Sequence, residues 1–161
     1  MKITKDKILS LYSSLGSLGS LQGVRFAYGI AKNISVLERE VKAIGETIKA
    51  TPEFSKFENE RLELVKKYAK KDKDGKLMTI VDDRVEKYVM EDEAKFNKEF
   101  ESLKKKHPKT LDERKKQGEE YNELLKTESE IELFKINLDD VPKDISVAQM
   151  GIIKDLIKIE E

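Results

Sequence analysis

Between Ala27 and Ile48 the apolar residues Ala27, Ile30, Ile34, Leu37, Val41, Ile44 and Ile48 recur at alternating spacings of three and four. A strict seven-residue repeat of this kind lines one side of a long helix and demands a helical neighbour. The positions beside the seam are Phe26, Asn33, Glu40 and Thr47 on one flank, and Ala31, Glu38 and Gly45 on the other. A parallel zipper with a second copy needs opposite charges at those flanks, and none is arranged there. The seam is therefore expected to pack within the chain or on an antiparallel partner.

Such a helix needs a domain around it. A chain of 161 residues suffices for one, and no repeat or linker divides it, so a single domain over 1–161 is expected. Charged residues make up 40% of the chain, against about 25% in an average soluble domain. That leaves material for a thin core between amphipathic helices, and a homo-oligomer is expected to extend it. Lysine plus arginine equals aspartate plus glutamate at 32 each, so the basic excess of a nucleic-acid binder is missing and nucleic acid is not an expected partner. The absence of cysteine excludes disulfides and thiolate chemistry. No run of 18 apolar residues is available to span a membrane. Near the N-terminus the apolar run is broken at Tyr12, Ser13 and Ser14, unlike a leader peptide.

The remaining elements follow from caps and breakers. Thr4 caps a helix over 5–15, and Gly16, Gly19 and Gly23 interrupt it before the seam begins. Thr51-Pro52 starts a helix over 52–71, expected to fold back on the seam helix as a hairpin. Asp74-Gly75 is a turn, and Leu77–Val81 with Val85–Met90 around Asp82-Asp83 read as a β-hairpin. Helices follow over 92–106 and, from a Thr110–Glu113 capping box, over 111–127. "SEIELFKINL" alternates as a third strand and is expected to join the hairpin, since two strands alone are marginal. Ser146 and Gln149 open a last helix over 147–158. The fold class is thus α+β: long amphipathic helices with a small antiparallel sheet of about three strands.

Chemistry is sparse. His107 is the sole histidine and sits beside proline in a lysine-rich loop, with no triad or metal-ligand set around it. Asp72, Asp74 and Gly75 fail calcium-loop spacing. No enzyme activity, cofactor or metal is expected. The lysines at 66–76 and 104–109 read as solvated surface. The stretch "SLGSLGSLQGVRFAYGIAKN" at 14–33 is either a bend or an anion site. Glycine lets a ligand approach the backbone, and a helix N-terminus favours negative charge, but neither phosphate-loop pattern is present. Beyond Gly23, the residues Arg25, Tyr28, Lys32 and Arg39 share the face opposite the seam. Cations beside an aromatic ring can hold a phosphate or stack on a base. Arg61 falls in an apolar stripe, as a snorkelling side chain, a partner of Glu38 or Glu40, or a further ligand contact. The candidate ligand-binding set is Gly23, Arg25, Tyr28, Lys32 and Arg61.

The segments "VRFAYGIAKNISVLEREV", "RLELVKKYAKKDKDGKL", "EAKFNKEFESL", "YNELL" and "IELFKINLDDVPKDISVAQMGIIKDLI" together resemble an uncharacterised family of short phage and prophage proteins of Gram-positive and gut bacteria. The likeness covers most of the chain in the same order, with insertions after Pro52 and around His107-Pro108. It implies a protein acting in the host cytoplasm. One implied role is an anti-defence factor that sequesters an anionic, nucleotide-like ligand or blocks a host protein. The other is a tail or head assembly factor.

Overall fold

The computed structural model describes residues 1–82 and 84–158. Asp83, half of the expected hairpin turn, lies outside the described residues. The fold is α+β, with six α-helices and three two-stranded sheets among the described residues. Two compact units are present, one of Met1–Lys49 with the chain from Glu119 onward, the other of Ala50–Gly118.

The first unit begins with β1 (Lys2–Thr4) and α1 (Lys5–Gly16). Thr4 caps α1 by accepting a hydrogen bond from the Lys7 N–H at 3.4 Å. The seam helix is α2 (Val24–Thr47), which packs on α1. Its core is Phe26, Ile30, Leu37 and Ile44, all buried. Each such side chain contributes about 1.5–3 kcal/mol on burial.

The buried stripe is rotated from the expected one. Ala27 is exposed, and Ile34 and Val41 are only half-buried, while Phe26 and Asn33 from the expected flank are buried. The reason is a second neighbour. β4 (Glu128–Glu130) pairs antiparallel with β1 in the register Ile3↔Ser129, and the chain then runs along α2. Ser129 Oγ donates to Glu40 at 3.2 Å, and Asn33 meets the Phe134 backbone. Gly29 lies so close to Ile136 that an added Cβ would come within 2.8 Å of its Cγ1.

The third strand of the sequence reading therefore does not join the hairpin. It is split into β4 and β5 (Ile136–Asn137), and β5 pairs in parallel with β6 (Ile157–Lys158). The last helix, α6 (Val147–Ile153), carries the expected Ser146–Gln149 capping box. It ends early because the chain turns at Lys154–Leu156 to place Ile157 opposite Ile136.

In the second unit, α3 (Pro52–Tyr68) starts at the expected Thr51 cap and packs on α4 (Glu93–Lys106), where the sequence reading paired it with the seam helix. Between them runs an aromatic series: Phe57 is 6.4 Å from Phe100, Phe100 5.7 Å from Phe96, and Phe96 6.4 Å from Tyr68. α3 stops three residues short of the expected end because Ala69 and Lys71 form bridges to Met90 and Leu77. These anchor the β-hairpin of β2 (Thr79–Asp82) and β3 (Val85–Tyr88). α5 (Pro108–Lys126) starts on proline, directly after His107, so the capping box expected at Thr110 goes unused.

Candidate functional site

Gly23 opens α2 with φ at +129°, a conformation L side chains rarely adopt. This sharp start leaves Val24 and Arg25 on the first turn, facing the segment that descends from Phe134. Between the two lies a cavity of about 380 Å³. Arg25, Tyr28, Phe134, Lys135, Asn137 and Asp140 line it, together with the apolar Val24 and Ile136.

One wall is aromatic. Tyr28, a residue 60% exposed, meets Phe134 edge-on with ring centroids 6.0 Å apart. Lys32 Nζ sits 4.7 Å from the Phe134 centroid and 5.9 Å from that of Tyr28. Asn33 fixes this wall from beneath. Its Nδ2 donates to the Phe134 carbonyl at 3.0 Å, and its Oδ1 accepts from the Phe134 N–H at 2.7 Å. A single amide thus satisfies both backbone groups of Phe134, as a neighbouring strand would.

The other wall is ionic. Arg25 Nη1 is 3.5 Å from Asp140 Oδ1, and Asp140 also accepts from Asn137 Nδ2 at 3.4 Å. The Arg25 side chain is 83% exposed. An ion pair this exposed contributes about 0.2–1 kcal/mol. The Asp140 carboxylate, only 18% exposed, therefore places a negative charge in the cavity beside Arg25, and an anionic ligand would compete with it for the guanidinium. Lys135 Nζ donates to the Asp155 carbonyl at 2.7 Å.

Of the candidate residues, Arg25 and Tyr28 line the cavity. Lys32 does not line it but lies against the Tyr28 and Phe134 rings, Gly23 precedes α2 without lining the cavity, and Arg61 is not among the lining residues either. It lies on α3, and its Nε and Nη2 donate to Glu58 at 3.1 and 2.8 Å, a third partner after the two considered from sequence. Sequence reasoning missed Phe134, Lys135, Asn137 and Asp140. The available signal was Phe134 itself, which interrupts the alternation of "IELFKI" and so points away from a regular strand.

Elsewhere, Lys66 pairs with Glu63 and Lys67 with Glu99. Asp72 Oδ1 accepts from the Asp74 and Lys76 N–H groups at 2.9 and 2.8 Å, which builds the turn completed by Gly75 at φ +78°. Among the described residues, no group of three His, Cys, Asp or Glu is placed to hold a metal, and no helix is long and apolar enough to cross a membrane. Comparison with known proteins returns no match among family models, curated proteins or solved structures.

Proposed function

We propose that this protein is a non-catalytic binding protein whose ligand joins a planar ring to an anionic group. The observation that carries the proposal is the cavity in which Arg25 and an aromatic wall of Tyr28 and Phe134 converge, with Lys32 on the same rings. A small nucleotide combines these two features. The volume lies at the lower end of the range of about 300–1,000 Å³ typical of small-molecule sites, which suits one nucleotide better than a peptide. Arg61 is left out, because Glu58 already holds its guanidinium.

The resemblance to phage proteins supports placing this activity in the host cytoplasm, as a factor that sequesters a nucleotide signal used in host defence. Isothermal titration against cyclic and linear nucleotides tests it. Binding to at least one member is expected. Arg25→Ala should weaken it more than tenfold, and Arg61→Ala should leave it unchanged. The absence of heat for every member overturns the reading.

A second reading, virion assembly, draws on the exposed apolar residues Ile80, Val81 and Val85 of the β2–β3 hairpin. Copurification with head or tail components from infected cells, without nucleotide binding, would select it.

A further inference from the structure

Every residue of β2 and β3 is exposed, including Ile80 at 55%, Val81 at 76% and Val85 at 56%. Natural edge strands are usually blunted by lysine, proline or a bulge. β2 is short, and its one charged residue, Asp82, pairs with Lys87 at 2.6 Å, which leaves Thr79-Ile80-Val81 without lysine, proline or a bulge, whereas β3 carries Glu86-Lys87.

The pattern of hydrogen bonds says which groups are free. The Val89 N–H donates to the Met78 carbonyl at 2.9 Å, across the pair Met78/Val89. Hydrogen-bonded pairs alternate along an antiparallel ladder, so Ile80↔Lys87 and Asp82↔Val85 are the next two. Thr79 and Val81 therefore aim their N–H and C=O groups away from β3. The segment containing Lys70 lies on the inner side, since the Met78 N–H donates to Lys70 and the Lys70 N–H to Val89. Among the described residues, no backbone group bonds to Thr79 or Val81 on the outer side.

We propose that this edge pairs with the same edge of a second copy of the chain, giving a four-stranded antiparallel sheet across a two-fold axis at Ile80. Opposed residues on antiparallel strands must both be hydrogen-bonded or both not. With Thr79 and Val81 as the outward groups, a two-fold axis at Ile80 satisfies this: Thr79 faces the partner's Val81, and the two Ile80 side chains face each other. No like charges are opposed, because Asp82 falls opposite the partner's Met78. The equivalent arrangement on β3 would set Lys87 against its own copy. The edge is thus complementary to itself, which a two-fold interface requires. The inference is independent of the nucleotide reading.

Four residues a side bury less than the roughly 800 Å² per partner of a standard stable interface. The dimer is therefore concentration-dependent, with dissociation in the micromolar range or weaker.

The chain has no cysteine, so an introduced one reports on its own position. The Ile80 residues form a non-hydrogen-bonded pair with Cα atoms about 4.5 Å apart, within disulfide reach. Oxidation of full-length Ile80→Cys should give a covalent dimer on non-reducing electrophoresis. Lys87→Cys, one strand farther from the axis, should give none. Val81→Pro removes an outward N–H but no bond of the hairpin, and should shift the unmodified chain's sedimentation to monomer with an unchanged circular dichroism spectrum. Wild-type protein that sediments as a monomer at every concentration overturns the proposal. Cross-linking of Ile80→Cys no faster than that of Lys87→Cys, or a dimer that survives Val81→Pro, does so too.

Discussion

Asn33 is a polar residue on an apolar face, and its cost and value can both be stated. It is fully buried, and its amide pairs both backbone groups of Phe134. Replacement by leucine leaves a buried donor and acceptor unmet, at about 1–3 kcal/mol each. Asn33→Leu should therefore lower the unfolding free energy in urea by about 2–6 kcal/mol, and Asn33→Asp should also destabilise at neutral pH, because its carboxylate would be buried against the Phe134 carbonyl. A loss below about 1 kcal/mol for Asn33→Leu would mean that packing, not pairing, holds this position. Gly29 is under a different constraint. An added methyl would strike Ile136 Cγ1 at 2.8 Å and approach Phe134 Cδ1 at 3.4 Å. Gly29→Ala should cost about 1–3 kcal/mol by overpacking, despite the better helix propensity of alanine. It should also weaken ligand binding, because both atoms it disturbs belong to residues of the cavity wall.

At the scale of elements, caps and breakers were the most legible part of the sequence. Thr4, Thr51-Pro52 and the Ser146 capping box all act where their chemistry places them. Such signals are local, so a single sequence suffices to read them. The orientation of α2 was not legible, because a seven-residue repeat reports one partner and α2 has two: α1, and the chain from Ser129 to Ile136. Strand pairing failed for a related reason, since β1 is three residues long and its pairing with β4 spans most of the sequence. Half of the candidate site lies on that distant segment, which is why Arg25, Tyr28 and Lys32 were found and Asp140 was not.

The α3–α4 pair carries its own pH dependence. The Tyr68 hydroxyl donates to Glu99 at 2.6 Å, and the Lys67 ammonium joins it at 2.9 Å. These hydrogen bonds, Tyr68 first, hold the Glu99 carboxyl below the usual carboxylate range. A carboxylate with a lowered folded pKa contributes stability that is complete above its unfolded value of about 4.3 and is lost as pH falls through the folded value. The helix pair should melt at lower temperature near pH 3 than at pH 7. Tyr68→Phe should reduce that difference. An unchanged difference in the variant would assign the acid sensitivity to other carboxylates.

For the whole molecule, the two proposals draw on residues of different compact units, the ligand cavity on one and the self-pairing edge on the other. Arg25→Ala should thus leave sedimentation unchanged, and Val81→Pro should leave the heat of ligand binding unchanged. A change in either would show that the two sites are coupled. The central claim is that α2 presents a gripping face between Arg25 and Phe134, and mapping of amide chemical shifts during a nucleotide titration tests it most directly. Saturable shifts are predicted at Gly23–Tyr28 and Phe134–Asp140, and they should vanish in Arg25→Ala. Saturable shifts confined to other residues, or none with any nucleotide, would contradict it.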